Sequence, residues 1–171
     1  QRKTHSNIMR SGIGVGGYCL TKDPLFAEAS SKQILHQEFN FPLSSAAVKV
    51  NQKMTFDVMS EIKKRFSKKI LDRKVLLIGV SYREDTNDTR YSPAEGVHNF
   101  FKKMRCKLNF YDPIVNYWEY SNSYSMKKKD LKNFDVYVYL IKHQSFKNLS
   151  IPYRDKSLIL DLNHVLEEKK K

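Results

Sequence analysis

Residues 75–80 read Val-Leu-Leu-Ile-Gly-Val, a continuous apolar run. Such a run is typical of a strand that is buried on both faces of a parallel sheet. Three further apolar stretches predict strands downstream, at residues 108–111, 136–141 and 158–160. Because helical or irregular segments separate these strands, the crossovers imply a mostly parallel sheet. Residues 73–171 are therefore predicted to form an α/β domain.

A helix is predicted between the first two strands of this domain. Residues 92–95 read Ser-Pro-Ala-Glu, a capping box in which the serine and glutamate side chains each accept a free backbone N–H of the first turn. Proline suits the first helical position because it has no N–H to leave unpaired. We expect this helix to run to about Met104.

Upstream, apolar side chains recur every four residues, at Val50, Met54, Val58, Ile62 and Phe66. This spacing predicts a helix from near Ser44 or Ser45 to about Phe66, about 33 Å long. Its apolar stripe could pack against a domain or against the same helix of a second subunit, and the pattern does not choose between them. Three segments are thus predicted: residues 1–43, a loop and a helix; residues 44–72, the long helix and a linker; and residues 73–171, the α/β domain.

The composition indicates a folded, soluble protein without a nucleic-acid partner. Of the 171 residues, 40% are hydrophobic and 12% aromatic, enough for a packed core. The formal net charge is +13, but the basic residues are spread along the chain without an RNP, zinc-finger or Arg-rich motif. We interpret them as solvated faces that also attract an anionic substrate. Residues 1–11 do not resemble a signal peptide, and no apolar run approaches the roughly 20 residues of a membrane span, which predicts a cytoplasmic protein without membrane association.

The two cysteines, Cys19 and Cys106, are too few for a disulfide framework, and their spacing does not match a metal site. A reducing compartment is therefore expected, with no bound metal. Cys106 lies between a helical pattern and a strand pattern and is interpreted as a small buried hydrophobic residue.

Residues 12–19 read Gly-Ile-Gly-Val-Gly-Gly-Tyr-Cys and contain four of the six glycines of the chain. The run superficially resembles a dinucleotide-binding fingerprint, but no apolar strand precedes it. So many glycines indicate unusual φ angles or the close approach of a ligand. A ligand-contacting loop is the favoured interpretation, and a surface turn is the alternative.

Cys19 follows this loop and precedes Asp23-Pro24, a pair that predicts the N-cap and first residue of a helix continuing to about Leu35. A helix N-terminus and the nearby Lys22 would both favour the thiolate form. This environment is typical of a nucleophilic cysteine. A structural cysteine, with Asp23 serving only as a cap, remains the alternative.

Residues 12–23 follow the pattern Gly-x-Gly-x-Gly-Gly-Tyr-Cys-Leu-x-Lys-Asp, which resembles the active-site signature of the UDP-glucose/GDP-mannose dehydrogenase family. Two later stretches, Gly-Val-Ser-Tyr-Arg-Glu-Asp at 79–85 and Asn-Asp-Thr-Arg-Tyr-Ser-Pro-Ala at 87–94, resemble its C-terminal nucleotide-binding signature. Leu-Asp-Leu-Asn at 160–163 resembles its closing strand. Residues 18–23 are more similar to the UDP-glucose branch, but the sequence around them favours the UDP-N-acetyl-hexosamine branch.

The resemblance implies the C-terminal portion of such an enzyme: a long central helix that forms a homodimer, then a Rossmann-like, mostly parallel UDP-binding domain. The family's NAD-binding domain would precede this stretch and is expected to be absent from this chain. Family members use NAD to oxidise the C6 hydroxymethyl group of a nucleotide sugar to a carboxylate, through a cysteine thiohemiacetal and thioester. Because hydride transfer needs a nicotinamide about 3–3.5 Å from the reacting carbon, this chain alone is expected to be inactive. A non-catalytic module for nucleotide binding and dimerisation is the alternative.

The resemblance also implies roles for individual residues. Cys19 matches the nucleophile, and Asp23 a carboxylate that positions or activates water in the hydrolysis step. Lys22 and Arg90 match positions that contact NAD. Arg83 stands where many relatives carry a substrate-binding lysine. The positive charge is kept, but a planar guanidinium replaces the compact ammonium group. Further substrate contacts are implied at Ile8, Met9, Arg10, Ser11, Gly12 and Gly16.

Overall fold

The computed structural model describes residues 12–166 of the chain. Its helices are Tyr18–Lys22 (α1), Phe26–Gln33 (α2), Pro42–Ile70 (α3) and Pro93–Lys103 (α4). Its strands are Lys74–Ile78 (β1), Lys107–Tyr111 (β2), Tyr117–Trp118 (β3), Ser123–Tyr124 (β4), Val136–Tyr139 (β5) and Leu158–Asp161 (β6). None of these four helices is both long and apolar enough to span a membrane.

Four of the strands form one parallel sheet in the order β2-β1-β5-β6. This confirms the predicted Rossmann-like, mostly parallel α/β fold, and every predicted strand is found to within two residues at each end. Strand β1 is central, and its residues Val75–Ile78 are buried on both faces, as the continuous apolar run predicted. The β3–β4 hairpin was not predicted, because strands of two residues are too short to show a periodicity.

The long helix α3 covers 29 residues and extends beyond the predicted helix at both ends. Its C-terminal half packs on the core of the chain itself: Ile62 is buried, and Val58 and Phe66 are partly buried against that core. Its N-terminal half is more open, and Val50 is 61% exposed. The four-residue stripe is therefore divided, with one part covered by the domain and the other left open.

The predicted helix start at Asp23-Pro24 is wrong in detail. Asp23 begins a short 3-10 turn that ends at Leu25, its side chain makes no capping hydrogen bond, and α2 begins only at Phe26. Its carboxylate instead contacts the Lys22 ammonium at 2.8 Å. A helix that was not predicted, α1, precedes this turn, so Cys19 lies within the first turn of a helix and not upstream of one.

Ser92 caps α4 as predicted, but only one half of the capping box forms. Its hydroxyl accepts a hydrogen bond from the Ala94 N–H at 3.2 Å. The Ser92 N–H donates to the Thr89 carbonyl at 3.1 Å, so it is already satisfied and does not need the Glu95 carboxylate. The helix then packs Val97 and Phe101 against the sheet-and-α3 core.

Asp112, directly after β2, joins three loops at the carboxyl edge of the sheet. One carboxylate oxygen accepts from the Val80 N–H at 2.8 Å, in the loop after β1, and from His143 Nε2 at 3.2 Å, in the loop after β5. The other oxygen accepts the N–H groups of Ile114 and Val115, each at 3.0 Å. Because the Asp85 N–H donates to His143 Nδ1 at 3.1 Å, the ring proton lies on Nε2, facing Asp112.

Asp112 is 3% exposed, and its side chain is fully buried. Burial by itself raises the pKa of Asp112, but the hydrogen bonds from His143 and Val115 outweigh it and hold the pKa below its ordinary value. The ionised carboxylate is therefore the form that the fold stabilises.

We expect Asp112→Asn to lower the free energy of unfolding by about 2–4 kcal/mol at pH 7, because an amide supplies one acceptor oxygen where the carboxylate supplies two. The folded-state pKa lies below the ordinary value of about 3.9, so the wild-type advantage is complete above about pH 5 and is lost as the pH falls through the folded pKa. Urea denaturation followed by circular dichroism at pH 7, 4 and 2 measures both effects.

Asp130→Asn is the matched control, because Asp130 is exposed and its side chain makes no hydrogen bond or ion pair within residues 12–166. It should change the free energy of unfolding by less than about 0.5 kcal/mol. Equal stability of wild type and Asp112→Asn at pH 7 would contradict the role given to this carboxylate.

Candidate functional site

The sheet has a topological switch point between β1 and β5. The chain passes from β1 to β2 on one side, whereas β5 lies on the other side of β1 and is reached later. In open α/β sheets, ligands bind outside the carboxyl ends of the strands at such a point. The loop after β1, residues 79–92, borders this crevice, and it contains the second motif noted in the sequence.

The glycine loop, residues 12–17, lies over the same edge of the sheet. The Ile13 N–H donates to Asn163 Oδ1 at 3.3 Å, and Asn163 follows β6 and also donates to the Leu140 carbonyl after β5. At the other end of the loop, the Gly17 N–H donates to the Arg90 carbonyl at 3.2 Å. The structure therefore brings together the motifs at 12–23, 79–94 and 160–163, which are far apart in sequence.

Helix α3 holds the middle of the glycine loop. The Asn51 carboxamide pairs with both backbone groups of Val15: Oδ1 accepts its N–H at 2.8 Å, and Nδ2 donates to its carbonyl at 2.8 Å. One turn later, the Thr55 hydroxyl donates to the Ile13 carbonyl at 2.7 Å. Gly14, between the two held residues, has φ 128°, a conformation that favours glycine.

Gly16 is buried where the glycine loop meets the loop after β1. A Cβ at this position would lie 2.7 Å from the Tyr91 carbonyl oxygen and 2.8 Å from Tyr82 Cβ. Position 16 therefore requires glycine, because the loop after β1 approaches it too closely for any side chain. Ile13 and Gly17 are buried as well, so the alternative of a surface turn is wrong for this loop.

Cys19 is a free, exposed thiol, and it is the second residue of α1. This helix has five residues and begins directly after Gly17. Because the N-cap residue is a glycine, no side chain caps the helix. The location of the thiol therefore follows from where the glycine loop ends. Cys106, in contrast, is half-buried, and its Sγ donates to the Ile70 carbonyl at 3.1 Å, as suits a structural cysteine.

Two cations flank Tyr18, the residue before Cys19. The Arg90 guanidinium lies 4.5 Å from the centre of the Tyr18 ring, and the Lys22 ammonium lies 5.5 Å from it. Each cation already has a carboxylate partner: Asp88 binds Arg90 at 2.6 Å, and Asp23 binds Lys22 at 2.8 Å. Donation of a hydrogen bond to Asp23 raises the pKa of Lys22, and the hydrogen bond that Asp88 accepts from Arg90 lowers the pKa of Asp88.

Arg83 is exposed in the loop after β1, and its guanidinium makes no hydrogen bond or ion pair within residues 12–166. Gly12 lies against Asn163, whose Oδ1 would be 1.9 Å from an added Cβ. The other implied substrate contacts lie outside the described residues, at Ile8, Met9, Arg10 and Ser11.

Sequence reasoning missed the residues that hold the site together. Asn51 and Thr55 are four residues apart and lie on the helix face that also carries Val48 and Met59, which are buried. A polar pair with helical spacing on an otherwise apolar face was the signal available in the sequence.

Comparison with known proteins identifies the family. Residues 76–168 match the UDP binding domain of the UDP-glucose/GDP-mannose dehydrogenase family. The UDP-N-acetyl-D-mannosamine dehydrogenase of Methanococcus aeolicus is 31% identical over 164 residues, which are 95% of this chain and 34% of that protein. The UDP-N-acetyl-D-glucosamine 6-dehydrogenase of Salmonella typhi is 26% identical over 169 residues, 92% of this chain and 39% of that protein.

Solved structures agree. The UDP-D-ManNAc dehydrogenase of Pyrococcus horikoshii superposes with a TM-score of 0.70 at 25% identity, covering 97% of this chain and 39% of that one. An NDP-N-acetyl-D-galactosaminuronic acid dehydrogenase of Methanosarcina mazei gives a TM-score of 0.67 at 29% identity, covering 84% of this chain and 32% of that one. The chain spans about a third of the length of the relatives that it matches. It belongs to the UDP-glucose/GDP-mannose dehydrogenase family, of which it forms a C-terminal portion with the UDP binding domain.

Proposed function

We propose that this chain is part of an NAD-dependent enzyme that oxidises the C6 hydroxymethyl group of a UDP-sugar to a carboxylate. The observation that carries the proposal is the packing of the glycine loop, which leads into Cys19, against the loop after β1 at the switch point of the sheet. This packing supports the assignment of the thiol and the nucleotide-binding signature to one site. The relatives named for UDP-N-acetyl-D-mannosamine and UDP-N-acetyl-D-glucosamine favour an N-acetylated UDP-sugar as the substrate.

In this proposal, Cys19 makes the second oxidation possible. After the alcohol has become an aldehyde, the thiolate adds to the carbonyl carbon and forms a thiohemiacetal, which can lose a hydride to become a thioester. Asp23 takes a proton from the water that attacks the thioester, and this releases the carboxylate and the free thiol. Its exposed carboxylate is four residues from Cys19, across one turn of α1.

NAD would supply the hydride acceptor for both oxidations. The exposed cations beside Tyr18 suit an anionic dinucleotide, and we assign its contacts here to Lys22 and Arg90. Both cations have carboxylate partners, so binding would exchange one anion for another. Arg83, without such a partner in residues 12–166, is assigned to the UDP-sugar. Since these 171 residues are about a third of their relatives' length, we expect no NAD reduction from this chain alone.

The first prediction concerns the thiol. At pH 7, iodoacetamide should modify Cys19 at least about ten times faster than Cys106, because burial raises the pKa of Cys106 and Cys19 is exposed beside Lys22. Lys22→Gln should slow the labelling of Cys19, and Lys32→Gln, an exposed change on α2, should not. Mass spectrometry of tryptic peptides measures both rates in one sample. Equal rates for the two cysteines would favour the non-catalytic alternative.

The second prediction concerns nucleotide binding. UDP should bind weakly to this chain, in the millimolar range, and Arg83→Ala should weaken binding by about tenfold, since a charged hydrogen bond contributes about 1.5–3 kcal/mol. The control is Arg105→Ala, which removes an exposed cation paired with Asp72 at the other edge of the sheet. Isothermal titration calorimetry at low ionic strength measures binding. No heat with millimolar UDP would contradict nucleotide binding by this portion alone.

The third prediction concerns self-association. Three apolar side chains on α3 are largely exposed: Leu43, Val50 and Phe56, at 85%, 61% and 67%. Val58, which the family resemblance implied to be part of a dimer interface, is partly buried against the core of its own chain. We expect a homodimer at micromolar concentration, and Val50→Asp with Phe56→Asp should give monomers. Light scattering measures the mass, and a monomeric wild type would contradict the interface.

A further inference from the structure

We infer that Asn51 and Thr55 are positioning residues of the site: through the glycine loop, they determine where Cys19 lies. The inference rests on the proposed function in so far as Cys19 is taken as the nucleophile. Within residues 12–166, both side chains hydrogen-bond to the glycine loop and neither hydrogen-bonds to Cys19, so we expect the backbone of the loop to transmit their effect to the thiol.

Both backbone groups, the N–H and the carbonyl, are hydrogen-bonded at Ile13 and at Val15. Asn51 pairs with both the N–H and the carbonyl of Val15, as a neighbouring strand would. Because one of these groups donates and the other accepts, the Asn51 amide can be oriented in only one way. Thr55 then fixes the carbonyl of Ile13, and Asn163 accepts the N–H of the same residue. Four hydrogen bonds with side chains thus hold Ile13 and Val15, the residues immediately before and after Gly14.

The loop is also anchored by the Ile13 side chain, which is 2% exposed in the core, but at Val15 it has little besides Asn51 to define its course. It belongs to no helix or strand, and the Val15 side chain is 51% exposed, so Val15 contributes little burial. Helix α1 follows within a few residues, and a helix of five residues does not stabilise itself. The location of Cys19 is consequently set by the contacts at Ile13 and Val15 together with the packing of Gly16 and Gly17.

Amide hydrogen exchange by NMR tests the hold on the loop directly. In Asn51→Ala, we expect the Val15 amide to exchange about ten times faster, while the amides of β1 and β5 keep their protection. Thr55→Val, which is nearly isosteric but cannot donate, should speed exchange in the glycine loop, and Thr55→Ser should restore the wild-type rate. Gln52→Ala, an exposed change between the two residues, should have no effect.

Labelling of Cys19 in the same variants tests whether the hydrogen bonds of Asn51 and Thr55 to the glycine loop position the thiol. Asn51→Ala and Thr55→Val should slow its reaction with iodoacetamide by at least about threefold, because the thiol loses its place beside Lys22 and the start of α1. Thr55→Ser should react like wild type, and Cys106 serves as the internal reference.

Unchanged loop exchange in both variants, or faster exchange with an unchanged labelling rate, would overturn the inference. A wild-type Cys19 that reacts no faster than Cys106 would instead contradict the proposed function. In that case the exchange rates of the loop still decide whether Asn51 and Thr55 hold it, so the two failures are distinguishable.

Discussion

The site depends on one buried carboxylate. Asp112 accepts hydrogen bonds from the loops that follow β1, β2 and β5, and these three strands are neighbours in the sheet. Strand pairing fixes where each loop starts but not where it goes next. The Asp112 carboxylate, an acceptor shared by all three loops, directs each loop beyond the end of its strand, and the His143 ring extends the same network to Asp85.

A second layer is built on this edge. The glycine loop contacts the loop after β1 through Gly16 and Gly17, the end of β6 through Asn163, and α3 through Asn51 and Thr55. Each contact joins elements that are distant in sequence. The site is therefore a product of the tertiary structure, and its thiol is carried by a helix too short to persist without its surroundings.

The elements that the sequence predicted are those with a strong local pattern. The run at 75–80 indicated a central strand because burial on both faces removes polar residues from it. The spacing within α3 predicted the helix, but not which part of its stripe would be covered. Asp23-Pro24 had the residues of a helix start, yet the Asp23 carboxylate contacts Lys22 instead of the backbone.

The site itself was only partly predictable. The motif around Cys19 and the loop at 79–94 were recognisable, and the structure joins them. Asp112 and His143, 31 positions apart, were not identified, because an Asp-Pro pair after a strand looks like any strand end and a lone histidine has no local pattern. Asn51 and Thr55 were indicated only by their helical spacing on an apolar face, and their role became clear from their hydrogen bonds in the structure.

The outward direction of Val15 has a practical consequence for spectroscopy. Its backbone N–H and carbonyl are both engaged by Asn51, whereas its side chain is 51% exposed and only four residues from Cys19. A fluorophore or spin label attached at position 15 would leave the hydrogen bonds of the loop intact. It would report on ligand arrival four residues from the thiol, and the neighbouring Gly16 and Gly17 leave no room for such a label.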